Sequence, residues 1–101
     1  MSLFSDPFNS LVWYLLAGTR GGPTRAIIVN SLRKVPMNKN QLSKKLNLDY
    51  KTVEHHLKIL VDNNMLSIIN KGKYGAAYTL STGMINSIAS FNEIWDQFGN
   101  K

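Results

Sequence analysis

The stretch "LDYKTVEHHLKIL", Leu48–Leu60, decides how this chain reads. At about 100° per residue, Val53, Leu57 and Leu60 gather on one side of a helix. Lys51, His55, Lys58 and Asp62 lie opposite. Asp49 precedes the helix as an N-cap, where a carboxylate accepts from the free N–H groups of the first turn. Tyr50 and Thr52 fall in that turn. Such a helix has one side to bury and one side to present. The polar side can be a metal site, a catalytic surface, a solvated exterior, or a face that reads another molecule.

The first two readings fail on residue types. His55 and His56 are adjacent and point about 100° apart, whereas a helical chelate needs i, i+4 spacing. Neither has a carboxylate or histidine four positions away. The chain has no cysteine, which removes thiolate metal sites, disulfides and a Cys nucleophile. No metal or cofactor is expected. His56 lies near the apolar stripe and reads as a half-buried packing residue. With six carboxylates in all and no Ser–His–Asp arrangement, no enzyme is expected either. Capping accounts for Asp49. Glu54 is suited to orienting Lys51 or Lys58 within the helix, or to accepting from a cytosine amino group.

The flanking sequence separates the remaining two readings. In "MNKNQLSKKLN", Asn38 caps a helix over 38–46 that carries Leu42 and Leu46. Asn47 suits the left-handed conformation that stops a helix, and Leu48 plugs the joint to the helix over 50–63. "MLSIIN" and "AAYTLS" are β-prone runs around the turn "KGKYG", a hairpin over 65–80 with Lys71 and Lys73 at its tip. Helix, short turn, helix and basic hairpin make a helix-turn-helix with a wing. The expected fold class is α+β, mostly helical, in a single domain over 1–101.

Upstream, "SDPFNSLVWYLLAG" predicts a helix over 7–17, with Asp6 as cap and Pro7 in the first position. Phe8, Leu11, Val12, Leu15 and Leu16 form its apolar face. "GTRGGPT" lacks the Gly-Lys-Ser/Thr ending of a phosphate loop and reads as a turn. A second helix over 23–34 follows, with Ile27, Ile28, Leu32 and Val35 inward and Pro36 closing it. Downstream, Ser81 caps a helix over 82–98. Met84, Ile88, Phe91, Trp95 and Phe98 recur in steps of 4, 3, 4, 3, a heptad seam. These five, with Phe8, Leu11 and Leu15, form an expected homodimer interface; the same helices can instead pack on their own domain's core.

Charge points to the partner. The net charge is +6, and residues 20–80 carry eleven Lys/Arg against three Asp/Glu, while each end carries −1. A basic middle flanked by neutral ends suits a polyanion. A duplex major groove is about 12 Å wide and admits one helix, held from behind by its apolar side. The expected major-groove residues are Tyr50, Lys51, Thr52, His55 and Lys58. The wing would contribute Lys71, Lys73 and Tyr74. Lys39, Asn40, Gln41, Lys44 and Lys45, with Arg20 and Arg25, are candidates for the phosphate backbone. The longest apolar run near the start, Leu11–Gly18, is far short of the roughly 20 residues that span a bilayer, and no basic residue precedes it. Neither membrane insertion nor a signal peptide is expected, and a cytoplasmic location is.

Three segments, "LAGTRGGPTRAIIVNSL", "NQLSKKLNLDYKTVEHHLKIL" and "KYGAAYTLS", together resemble the small archaeal winged-helix transcription regulators of the arsenic-repressor-like (ArsR-like) group. The "YKTVxHHLxxL" pattern is the most specific part, and the resemblance covers nearly the whole chain. It implies a dimeric DNA-binding regulator whose helix Tyr50–Asn63 enters the major groove and whose wing spans about Ile69–Tyr78. Metal-sensing members carry cysteines that this chain lacks, so metal sensing does not carry over. The expected function is sequence-specific binding of double-stranded DNA in transcription regulation. The alternatives are a weakly specific chromatin-like protein and a winged-helix protein-interaction module. Operator, sign of regulation and any effector are not legible.

Overall fold

A computed structural model of the protein describes residues 6–69 and 75–99. Helix α1 (Pro7–Ala17) starts where the Asp6 carboxylate accepts from the Phe8 N–H at 2.9 Å, and it ends at Gly18. Helix α2 (Gly22–Leu32) follows after a turn so tight that Gly22 is a steric requirement. A Cβ there would lie 2.6 Å from the Leu16 carbonyl oxygen. The buried face of α2 is Arg25, Ala26, Ile28, Val29 and Leu32. Ile27 and Val35, expected inward, are instead 39% and 51% exposed. On the helical wheel Ile27 sits opposite the arc of Ile28, Val29 and Leu32, and Val35 lies beyond the end of the helix.

Helices α3 (Lys39–Leu46) and α4 (Tyr50–Asp62) form the helix-turn-helix. Asn38 and Gln41 make a reciprocal capping box, each side-chain oxygen accepting from the other's backbone N–H at 2.8 Å. Asn47 ends α3 at φ 53°, left-handed, a conformation asparagine tolerates better than most residues. The joint is held twice: the Leu48 N–H donates to the Ser43 carbonyl at 3.0 Å, and the Ser43 hydroxyl donates to the Leu48 carbonyl at 2.6 Å.

Strands β1 (Leu66–Ile69) and β2 (Ala77–Leu80) pair antiparallel, with Leu66 opposite Leu80 and Ile69 opposite Ala77. On the other side of β2, Met37 and Tyr78 exchange backbone hydrogen bonds of 3.2 and 2.8 Å. That bridge ties the hairpin to the lead-in of α3. Asn70, Lys71, Lys73 and Tyr74 lie outside the described residues.

The C-terminal segment is not one helix. Ser81 caps α5 (Thr82–Asn86), its hydroxyl accepting from the Met84 N–H at 3.0 Å. The chain then breaks at Ser87 before α6 (Ile88–Ile94) and closes with a π-helical turn, Trp95–Gly99. The Ser87 N–H is shared between the carbonyls of Gly83 and Met84. Asn86 and Ser87 are weak helix formers whose side chains compete for backbone partners. A heptad seam needs one continuous helix, so the predicted stripe does not form as such. Met84 and Phe91 are 0% exposed and Leu15 is 8% exposed, all within the protomer's own core. These three are removed from the expected dimer interface. Phe8, Leu11, Ile88 and Trp95 are half-buried and Phe98 is exposed. The architecture is an α+β winged helix-turn-helix in which α1 packs on α2 and on α6, and the π-helical turn packs on α2.

Replacing Gly22 with alanine forces a methyl against backbone that cannot move aside. Gly22→Ala should cost about 1–3 kcal/mol of stability by urea unfolding; an unchanged midpoint would mean that the α1–α2 turn is not packed as described.

Candidate nucleic-acid interface

Asp49 fixes where α4 begins: its carboxylate accepts from the N–H groups of Lys51 and Thr52 at 3.0 and 3.3 Å. Val53, Leu57 and Leu60 are fully buried, and α4 packs on α2, α3 and β1. The opposite side is open. Tyr50, Lys51, His55 and Lys58 are exposed, and Thr52 is half-buried at the end of the same face. Of the five expected groove residues, all therefore lie on or beside one outward surface. Lys44, Lys45, Asn40 and Arg20 are exposed as well.

Arg25 is a different case and corrects its assignment as a phosphate contact. It is 5% exposed. Its Nε donates to the Leu15 carbonyl at 3.0 Å, one terminal nitrogen donates to the Thr19 hydroxyl, and the other lies 3.1 Å from His56 Nδ1. A guanidinium can only donate, so Nδ1 accepts and the His56 imidazole is neutral, with its proton on Nε2. Burial, and then the neighbouring Arg25 and His55 charges, push the His56 pKa down. Arg25 thereby joins the end of α1 to the inner side of α4. The sequence did hold a signal for this: helical spacing sets Arg25 on the same side of α2 as Ile28, Val29 and Leu32.

Two of the candidate lysines are already paired. Lys58 Nζ meets Asp62 at 2.9 Å across one turn of α4, in the open. Lys39 Nζ, on the first residue of α3, meets Glu54 Oε2 at 2.9 Å across the two helices. The hydrogen bond from Lys39 holds the Glu54 carboxyl below the usual carboxylate range and raises Lys39 in turn. Glu54 thus orients neither Lys51 nor Lys58, as sequence spacing suggested; an interhelical partner lies nearer. Lys39 stands between two open clefts. One, of about 300 Å³, is lined by Asn38, Asn40, Tyr50, Ala76 and Tyr78. The other, of about 430 Å³, runs between α4 and β1 past Leu57, Val61 and Ile68. Gln41, expected at a phosphate, has its side-chain oxygen engaged in the capping box.

The arrangement is a braced helix with an outward polar face. Among the described residues no group of three His, Asp or Glu side chains could hold a metal ion. No described helix is long and apolar enough to cross a membrane.

Because the folded His56 resists protonation, the sign of its linkage is fixed. The unfolded imidazole takes up a proton near pH 6.5 and the folded one only at lower pH. Unfolding therefore binds a proton in that window, so stability falls as pH drops below about 6.5 and levels off below the folded-state value. Urea unfolding should show this decline between about pH 7 and 5, and His56→Gln, which keeps an acceptor for Arg25, should flatten it. An equal slope in the variant would contradict a neutral, buried imidazole.

Residues 22–67 match the family model described as bacterial regulatory protein, arsR family. No curated protein matches the chain. The matched segment runs from the start of α2 through the helix-turn-helix into β1. The match supports a relation to the ArsR-like helix-turn-helix group and, with it, a DNA-binding transcription regulator.

Proposed function

We propose that the protein binds double-stranded DNA sequence-specifically as a homodimer, with α4 in the major groove. One observation carries this reading: α4 buries an unbroken apolar stripe while Tyr50, Lys51, Thr52, His55 and Lys58 share its free side. Thr52 and His55 are the base readers, since a hydroxyl and an imidazole can hydrogen-bond to base edges. Lys44, Lys45, Asn40 and Arg20 hold the phosphate backbone. The wing turn, with Lys71, Lys73 and Tyr74, follows the backbone or the minor groove. Two-fold symmetry brings two α4 helices to successive major grooves about 34–36 Å apart and calls for a pseudopalindromic site.

The dimer draws support from apolar surface at the two ends of the chain. Tyr14, Ile85 and Phe98 are exposed, beside half-buried Phe8, Leu11, Ile88 and Trp95. A small domain that leaves such side chains uncovered gains by covering them with a second copy. Sedimentation at micromolar concentration should give a dimer; a monomer would remove the symmetric-site reading.

With about four phosphates touched per subunit, the logarithm of affinity should fall against the logarithm of salt with a slope near −7. Lys44→Ala or Lys45→Ala should weaken binding to all sequences alike and reduce the slope by about two, one for each subunit of the dimer. Thr52→Ala or His55→Ala should relax preference at particular bases by about 1–3 kcal/mol. Fluorescence anisotropy with a selected and a random duplex separates the two classes, and identical behaviour of all four variants would contradict the division of labour.

A further inference from the structure

A carboxylate on the helix that enters a polyanion needs a reason. Glu54 lies in the second turn of α4, with its side chain 44% exposed and its Oε2 2.9 Å from Lys39 Nζ. Asp49, which caps α4, is occupied by the N–H groups of Lys51 and Thr52. Lys39 opens α3, where the helix macrodipole and the free N–H groups of the first turn attract anions. A cation at the start of α3, where a phosphate is favoured, is thus paired with a carboxylate from the neighbouring helix.

Stability alone is a poor reason for the pair. Part-exposed ion pairs contribute little to folding, and the Asn47 turn and the Ser43–Leu48 bonds already fix α3 against α4. Competition is a better one. A phosphate approaching Lys39 must displace Glu54 or share the ammonium with it. That cost falls on any duplex, whatever its sequence.

Building on the DNA-binding reading above, we infer that Glu54 is a specificity-determining residue that withholds Lys39 from the phosphate backbone and so lowers affinity for arbitrary DNA. Lys39 then counts as a phosphate contact only where the other contacts of α4 are good enough to hold the duplex against it. Removing the carboxylate should raise affinity for random sequence more than for a good site, and narrow the gap between them.

The test is a double-mutant cycle on the full chain, using a random-sequence 30-base-pair duplex as probe over a series of salt concentrations. Glu54→Gln, nearly isosteric, should bind this probe about threefold to tenfold more tightly at low salt, with a salt slope steeper by about two, one for each subunit of the dimer. Lys39→Gln should bind it more weakly than Glu54→Gln does, and adding Glu54→Gln to Lys39→Gln should bring no gain. Unchanged affinity and slope in Glu54→Gln overturn the inference. So does a gain that persists in the Lys39→Gln background, because the carboxylate would then act by general repulsion and not through Lys39. Lack of any wild-type binding to the probe at low salt overturns the DNA-binding reading and this inference together.

Discussion

Three side chains, Val53, Leu57 and Leu60, hold the working face of this molecule in place. Burying each of them fully contributes roughly 1.5–3 kcal/mol, so the stripe is worth about 5–9 kcal/mol. The whole stability of a small domain is typically about 5–15 kcal/mol. The helix therefore cannot roll or lift away without unfolding the protein. Everything outward on α4, from Tyr50 to Lys58, inherits its position from that constraint. Arg25 adds a polar anchor on the same side, tying α4 through His56 to the Leu15 carbonyl in the last turn of α1. A buried guanidinium is costly unless hydrogen-bonded, and here all three nitrogens have partners.

Electrostatics then sorts the lysines into groups that net charge does not distinguish. Lys44, Lys45 and Lys51 stand exposed on α3 and α4. Lys58 is paired in the open with Asp62, and such a pair, worth a few tenths of a kcal/mol, yields readily to a phosphate. Lys39 is more enclosed and is held by a residue from another helix. A surface of uniform basic charge would grip any polyanion. One in which some cations are free and others are conditionally engaged can weigh a good sequence against a poor one, because it starts from a lower baseline.

What the sequence made legible is what short-range chemistry controls. Asn38, Asp49 and Ser81 cap the helices that follow them, and Asn47 takes the left-handed turn, because a cap or a turn depends on residues within one helical turn of itself. The stripe on α4 was legible for the same reason: periodicity is local. What escaped reading involves partners far along the chain. Arg25 reads as a surface cation until Leu15, Thr19 and His56 close around it. Glu54 finds Lys39 across a helix joint, not the lysines next to it in sequence. Met84 and Phe91 follow a heptad rhythm, yet they fill a single protomer's core because Ser87 and the π-helical turn break the helix that would have displayed them. The pairing of Met37 with Tyr78 carries no sequence signature at all, only two extended residues brought together by the hairpin.

Helix α4 is clamped by its apolar side, and on our proposal the polar side left free enters a duplex groove. The two adjacent histidines offer an internal comparison, since His55 is exposed and His56 is buried on the same helix. An NMR titration of the labelled protein with a short duplex reads both sides of the helix at once. The His55 imidazole and the Lys51 and Thr52 amides should shift strongly on binding, while the His56 imidazole and the methyls of Val53, Leu57 and Leu60 stay nearly in place. Shifts concentrated on α1 and α6, with His55 unmoved, would contradict the proposal.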